Sequence, residues 1–212
     1  MASLLHVEVL NSGRQELLKN LNFIKEADFY LAGGTALALQ IGHRKSVDFD
    51  FYTPKMFEPS AFWARFNKAV AASENVRMAD GTLIVLVKKE IELSFFFYDY
   101  PLLEPLVSCE PLLLASLKDI AAMKIVAVEQ RGIRRDFVDL YFLAKKFGLY
   151  EIIVATLEKY SGHNVYPILQ ALCYFEDADK EPDRPLSLIK PAPWIEIKKF
   201  FLQEVGRVQK LF

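Results

Sequence analysis

The chain has 212 residues, 52% hydrophobic and 25% charged, with a formal net charge of −1. That composition excludes a disordered chain and suffices to bury a real core in one large or two small domains. The near-zero charge excludes the electrostatic footprint of a bulk nucleic-acid binder and leaves local patches such as Arg131, Arg134, Arg135, Lys145 and Lys146, a density that solvated helix faces also show.

Two cysteines, Cys109 and Cys173, and three histidines argue against a disulfide scaffold and an imidazole metal site, and they suit a reducing, cytoplasmic compartment. The first residues lack a basic segment followed by a sustained apolar core, so no signal peptide is expected. Apolar runs such as Pro111 to Leu117 fall far short of the roughly 20 residues a span requires, so no membrane association is expected.

In chain order, Leu17, Leu18, Leu21 and Ile24 recur at helical spacing and predict one amphipathic helix over Gln15 to Ile24. Phe29 to Ala32 is strand-like and runs into Gly33-Gly34-Thr35, which opens a short helix over Ala36 to Ile41. The chain returns through Ser46-Val47-Asp48-Phe49-Asp50-Phe51, whose alternation puts Val47, Phe49 and Phe51 on one strand face and Ser46, Asp48 and Asp50 on the other. Two aspartates so spaced can share a divalent ion, and such hard oxygen ligands suit Mg²⁺ or Mn²⁺. The Gly33-Gly34 pair lets the backbone approach a ligand, and the helix beginning there offers free N–H groups and a positive dipole end to a phosphate. Together these read as a triphosphate-plus-metal site. Taken singly, an Asp-x-Asp edge also serves to block strand pairing, and Gly-Gly is also an ordinary turn. Arg44 and Ser46 flank the carboxylates as candidate phosphate ligands, while His43 can equally orient a loop.

Pro54 closes this segment, and Phe62, Phe66 and Val70 predict a helix between Glu58 and Ser73. Val76 to Met78, Thr82 to Val87 and Ile91 to Tyr98 predict strands, the first two joined by an Asp80-Gly81 turn. In the last, Ile91, Leu93, Phe95 and Phe97 share one face and Glu92, Ser94 and Phe96 the other. Pro101 to Pro111 is proline-rich and is predicted to be an irregular linker, dividing the chain into a first domain of residues 1–108 and a helical lobe of residues 109–212. Ser116 and Asp119 have capping-box spacing ahead of an apolar stripe of Leu117, Ile120, Ala121, Ile125 and Val128. Lys124 projects from that stripe, so its ammonium either snorkels to water or meets an anion, and Arg131 lies seven residues further. Ile133 to Phe147 predicts a helix with Phe137, Leu140, Tyr141 and Ala144 inward and Asp136 and Asp139 off that face, as dipole partners in the first turn. Helical patterns follow at Glu151 to Tyr160, Tyr166 to Phe175 and Trp194 to Phe212, with Asp177 to Pro193 predicted to be an exposed loop.

Gly33-Gly34-Thr35 followed by His43-Arg44-Lys45-Ser46-Val47-Asp48-Phe49-Asp50-Phe51 resembles the first motif of the polymerase-β-type nucleotidyltransferases, specifically the AbiEii/AbiGii toxin family. Further matches lie in Ser116 to Lys124 and Arg131 to Leu140. The resemblance implies an α+β fold: a polymerase-β-like nucleotidyltransferase core, a mixed sheet with flanking helices, followed by a helical C-terminal lobe packed against it. It implies a metal-dependent enzyme that transfers a nucleoside monophosphate from an NTP to an acceptor hydroxyl, RNA or tRNA. Such a protein would be the toxin of a bacterial toxin–antitoxin or phage-defence pair, with a cognate antitoxin as partner.

The implied site has Asp48 and Asp50 as catalytic acids and metal ligands, with Gly33, Gly34, Thr35, Arg44, Ser46, Lys124, Arg131 and Asp136 binding the nucleotide. The family usually adds a third carboxylate from a central strand, at the position Ser94 holds here. Glu92, two residues earlier on the same face, stands in as ligand or base. This departure keeps two other readings open: a lapsed enzyme that binds nucleotide or a protein partner, and transfer to a small molecule.

Overall fold

Asn11 accepts a hydrogen bond from the Arg14 amide at 3.0 Å and so starts a short helix, α1 (Ser12–Leu18), which α2 (Asn22–Glu26) follows. The computed structural model describes residues 5–71, 73–180 and 186–212. The single helix expected over Gln15 to Ile24 is therefore broken. Tight three-residue bonds from the amides of Asn20 and Leu21 to the carbonyls of Leu17 and Leu18 turn the chain, yet Leu17, Leu18, Leu21 and Ile24 all stay buried.

Next come β1 (Tyr30–Ala32), α3 (Gly33–Ile41), β2 (Phe49–Thr53), α4 (Pro59–Ala69), β3 (Ser73–Ala79), β4 (Thr82–Val87), β5 (Ile91–Phe97), β6 (Val107–Cys109) and β7 (Leu112–Leu114). Among the described residues these strands form one seven-stranded mixed sheet in the order β3-β4-β5-β2-β1-β7-β6. Its centre is β1 antiparallel to β2 and β2 parallel to β5. One sheet face is closed by aromatic rings: Phe51 stacks on Phe95 at 5.1 Å, and Phe62 and Phe66, four apart on α4, meet Phe95 edge-on at 4.9 and 5.7 Å. The Glu58 carboxylate fixes the start of α4 by accepting from the Ala61 amide at 3.0 Å.

Two readings of this region are corrected. Val47 does not share the buried face of Phe49 and Phe51; it is 52% exposed while Ser46 is buried, because the β ladder begins at Phe49 and the residues before it are a loop. The proline-rich stretch is not irregular throughout, since β6 lies within it and pairs with β7.

Ser116 caps α5 (Leu117–Gln130) as its spacing predicts: its hydroxyl accepts from the Asp119 amide at 3.0 Å and donates to the Asp119 carboxylate at 2.7 Å. Then come α6 (Arg134–Phe147), α7 (Leu149–Lys159), α8 (Val165–Cys173), α9 (Glu176–Lys180) and α10 (Trp194–Val208). Phe137 on α6 centres their core, with Phe175, Trp194 and Phe201 rings 5.1 to 5.8 Å away. Part of the loop expected over Asp177 to Pro193 is helical, because α9 extends to Lys180; residues 181–185 lie outside the described residues.

The chain divides into two compact units. The first holds the described residues up to Pro101 together with Pro105–Ala115, and the second holds Leu102–Glu104 with Ser116–Phe212. The division falls at Ser116 rather than after residue 108, where it would cut the β6–β7 hairpin. No helix among the described residues is long and apolar enough to cross a membrane.

Candidate active site

Gly33 opens α3 with a φ of +64°, a left-handed conformation that L side chains rarely adopt, and a Cβ placed there would lie 2.8 Å from Asp50 Oδ2. The carboxylate of Asp50 thus lies against the backbone of the first turn of α3. Cross-strand register explains how it gets there: Ala32, Asp50 and Ser94 are neighbours in one row across β1, β2 and β5, so all three face the same side of the sheet. Residue 32, at the N-cap, is an alanine without a capping side chain, which leaves the first-turn amides of α3 to another partner. Gly33, Gly34, Asp48 and Asp50 are all half-buried, so acid and amides share an accessible surface.

The loop that delivers Asp48 is held from behind. Thr35 Oγ1 donates to the Asp48 carbonyl, so its 2.7 Å contact with Ser46 is one in which the serine hydroxyl donates. Arg44 donates to the Lys45 carbonyl at 3.0 Å and reaches Ser46 Oγ at 3.4 Å. Arg14 Nε donates to the Val47 carbonyl at 2.7 Å. Thr35, Arg44 and Ser46 are buried, and the bonds they make set the path of the chain into Asp48.

Ser94 is buried beside Asp50 in the row, and Glu92 is exposed two residues earlier on the same face of β5. Among the described residues no group of three His, Cys, Asp or Glu side chains could hold a metal. On this face the row supplies the Asp50 carboxylate with the Ser94 hydroxyl beside it, and Glu92 stands further along β5.

Within the second unit, Lys124 Nζ lies 2.9 Å from Asp136 Oδ1 and 2.7 Å from Asp139 Oδ2, and Arg131 grips Asp136 with two bonds of 2.7 and 3.0 Å. Burial by itself would raise the Asp136 pKa, but Lys124 and Arg131 outweigh it and hold the carboxyl below its usual range. Asp136 and Asp139 do not lie off the core face as dipole partners; both are fully buried, since α6 turns them onto the Lys124 ammonium.

Residues 16–105 match the model of a family described as nucleotidyl transferase AbiEii toxin of type IV toxin–antitoxin systems. Over 184 residues the chain is 42% identical to aq_aa25, an uncharacterized protein of Aquifex aeolicus, covering 84% of this chain and 86% of that one. The chain belongs to the AbiEii family. Its fold is similar to that of JHP933 from Helicobacter pylori, with a TM-score of 0.56 at 19% identity over 97% of this chain and 93% of that one. It is also similar to MenT4, a nucleotidyltransferase toxin from Mycobacterium tuberculosis, with a TM-score of 0.55 at 15% identity over 92% and 82%. The polymerase-β-like architecture expected from the motif is the one the AbiEii chain has.

Sequence reasoning missed two supports of this AbiEii protein. Arg14 is one. The other is Asp119, which beyond its capping role pairs with the fully buried Lys159 at 2.8 Å and accepts from the amides of Leu103 and Glu104 at 3.0 and 3.3 Å. Lys159 ends an apolar helix and carries no local signal of its partner, which lies 40 residues earlier in the chain.

Proposed function

We propose that this AbiEii protein transfers a nucleoside monophosphate from a nucleoside triphosphate to an acceptor hydroxyl of RNA, in the bacterial cytoplasm and opposed by a cognate antitoxin. The observation that carries this reading is the Asp50 carboxylate lodged against the half-exposed first turn of α3 at Gly33. An acid there and uncapped amides beside it suit a phosphate that arrives with a cation.

In this reading the triphosphate lies along Gly33-Gly34-Thr35, with Thr35 contributing its amide because its hydroxyl is engaged with the Asp48 carbonyl. Asp48 and Asp50 suit Mg²⁺ or Mn²⁺: Mg²⁺ is commonly held by one or two carboxylates plus substrate phosphates rather than by a full protein cage, so a pair of acids with Ser94 alongside is an adequate donor set. Such an ion, when bound, neutralises charge on the phosphoryl oxygens. The acceptor oxygen bonds to the α-phosphorus, the bond from that phosphorus to the bridging oxygen breaks, pyrophosphate leaves, and Glu92 takes the hydroxyl proton. Arg44 and Ser46 steady the Asp48 loop beside the phosphates. Arg131, with a half-exposed side chain backed by Asp136 and Lys124, is the anion contact proposed for the helical unit.

The test is incubation with labelled nucleoside triphosphates, Mg²⁺ and total RNA. Label should appear on RNA with the native protein and vanish with Asp48→Asn plus Asp50→Asn; label that persists would remove both acids from the mechanism. Ser94 in the central row favours one rival, a lapsed enzyme that binds nucleotide without turnover. Calorimetry showing tight nucleotide binding with no labelled product from any acceptor would establish that rival.

A further inference from the structure

The sheet face that carries Asp50 and Ser94 continues into a row of aromatic rings. Tyr52 stands two residues beyond Asp50 on β2 and Phe96 two beyond Ser94 on β5; they are cross-strand neighbours with rings 5.5 Å apart. Tyr98 packs edge-on against Tyr52 at 5.1 Å, and Tyr100 meets Tyr98 at 4.9 Å. Burial loosens along the row. Tyr30, stacked on Tyr52 from β1, is 3% exposed; Tyr52, Phe96 and Tyr98 are half-buried; Tyr100 is 44% exposed.

Core packing closes the opposite face, where Phe51 and Phe95 are fully buried, whereas this row steps outward from a buried to an exposed ring. A tyrosine ring offers an apolar face with a polar edge, and aromatic faces of this kind hold unpaired bases by stacking whatever the base. Two residues of strand span about 6.6 Å, so the row begins within a nucleotide's reach of Asp50.

We propose that Tyr52, Tyr98 and Tyr100 form a stacking surface for the unpaired bases of a single-stranded RNA end, leading its terminal hydroxyl toward Asp50. The proposal rests on the transfer reading above.

Equilibrium binding of a short fluorescent single-stranded RNA tests it, using the full chain and its Tyr100→Ala, Tyr100→Phe and Tyr98→Leu variants. Tyr100→Ala should raise Kd by about 5- to 150-fold, the size of one lost base stack, while Tyr100→Phe, which keeps the ring, stays near the native value. A blunt duplex should bind more weakly than the single strand. Equal affinity of all variants for the single strand would overturn the proposal; so would a loss confined to free nucleoside triphosphate, which would assign the rings to the donor base. The two readings fail separately. Weakened RNA binding in Tyr100→Ala with no label transferred by the native protein sinks transfer alone, whereas labelled RNA with an unchanged acceptor KM and Kd in Tyr100→Ala sinks stacking alone.

Discussion

Gly33 faces two demands at once, a left-handed φ and the absence of a Cβ where the Asp50 carboxylate lies. Gly33→Ala would meet a conformational cost of about 1–2 kcal/mol and would also push the carboxylate aside. The expected outcome is a lower midpoint in urea together with a loss of transfer of about tenfold or more, read by label incorporation. Asp50→Asn differs: it keeps shape and removes charge, so transfer should fall by about a hundredfold or more in the same label-incorporation assay. Thr35 separates support from contact. Thr35→Val removes the hydroxyl that serves the Asp48 carbonyl and Ser46 and should cost about 1–3 kcal/mol, whereas Thr35→Ser should restore both stability and transfer.

At the scale of elements, the contrast lies between what neighbours in sequence specify and what only packing brings together. The Gly33-Gly34 turn and the Ser116 cap were legible because each works within one turn, where spacing dictates geometry. The break between α1 and α2 was not, since the same leucines are buried by one helix or by two. Nor were the charged pairs of the helical unit, whose partners meet only when α5, α6 and α7 assemble. Those pairs carry a prediction. Lys124→Met would leave Asp136 and Asp139 without the ammonium between them and should destabilise the protein by about 3–5 kcal/mol in denaturant titrations.

Asp136 adds a pH dependence of definite sign. Its folded pKa is depressed, so the stability it contributes is present above the ordinary aspartate value near 4 and is lost as pH falls through the lower folded value. Urea midpoints should therefore drop below about pH 4, and the drop should be shallower in Asp136→Asn.

For the whole molecule, the fully buried carboxylates among the described residues, Asp119, Asp136 and Asp139, all belong to the second unit, while the sheet's core is built on stacked phenylalanines. Acid below about pH 4, where the Asp136 carboxylate starts to be neutralised, should therefore loosen α5 and α6 before the strands. Hydrogen exchange at falling pH checks this: amides of α5 should lose protection while those of β2 and β5 keep theirs, and the reverse order would show that those ion pairs do not control the unit's stability.

The order of strands has a bearing on how the protein is made. Leu31 in β1 has Phe51 on one flank, but on the other it waits for Leu114, and the Ala115 amide then closes onto the Leu31 carbonyl at 2.8 Å. A growing polypeptide thus possesses its glycine turn and both acids well before it owns the strand that covers the flank of β1. A chain halted at residue 105, where the family match ends, would keep every residue of the site in the first unit and expose a raw β-edge to any other chain nearby. Translation of the last short hairpin moves that edge from β1, which carries the glycine turn, out to the three-residue strand β6.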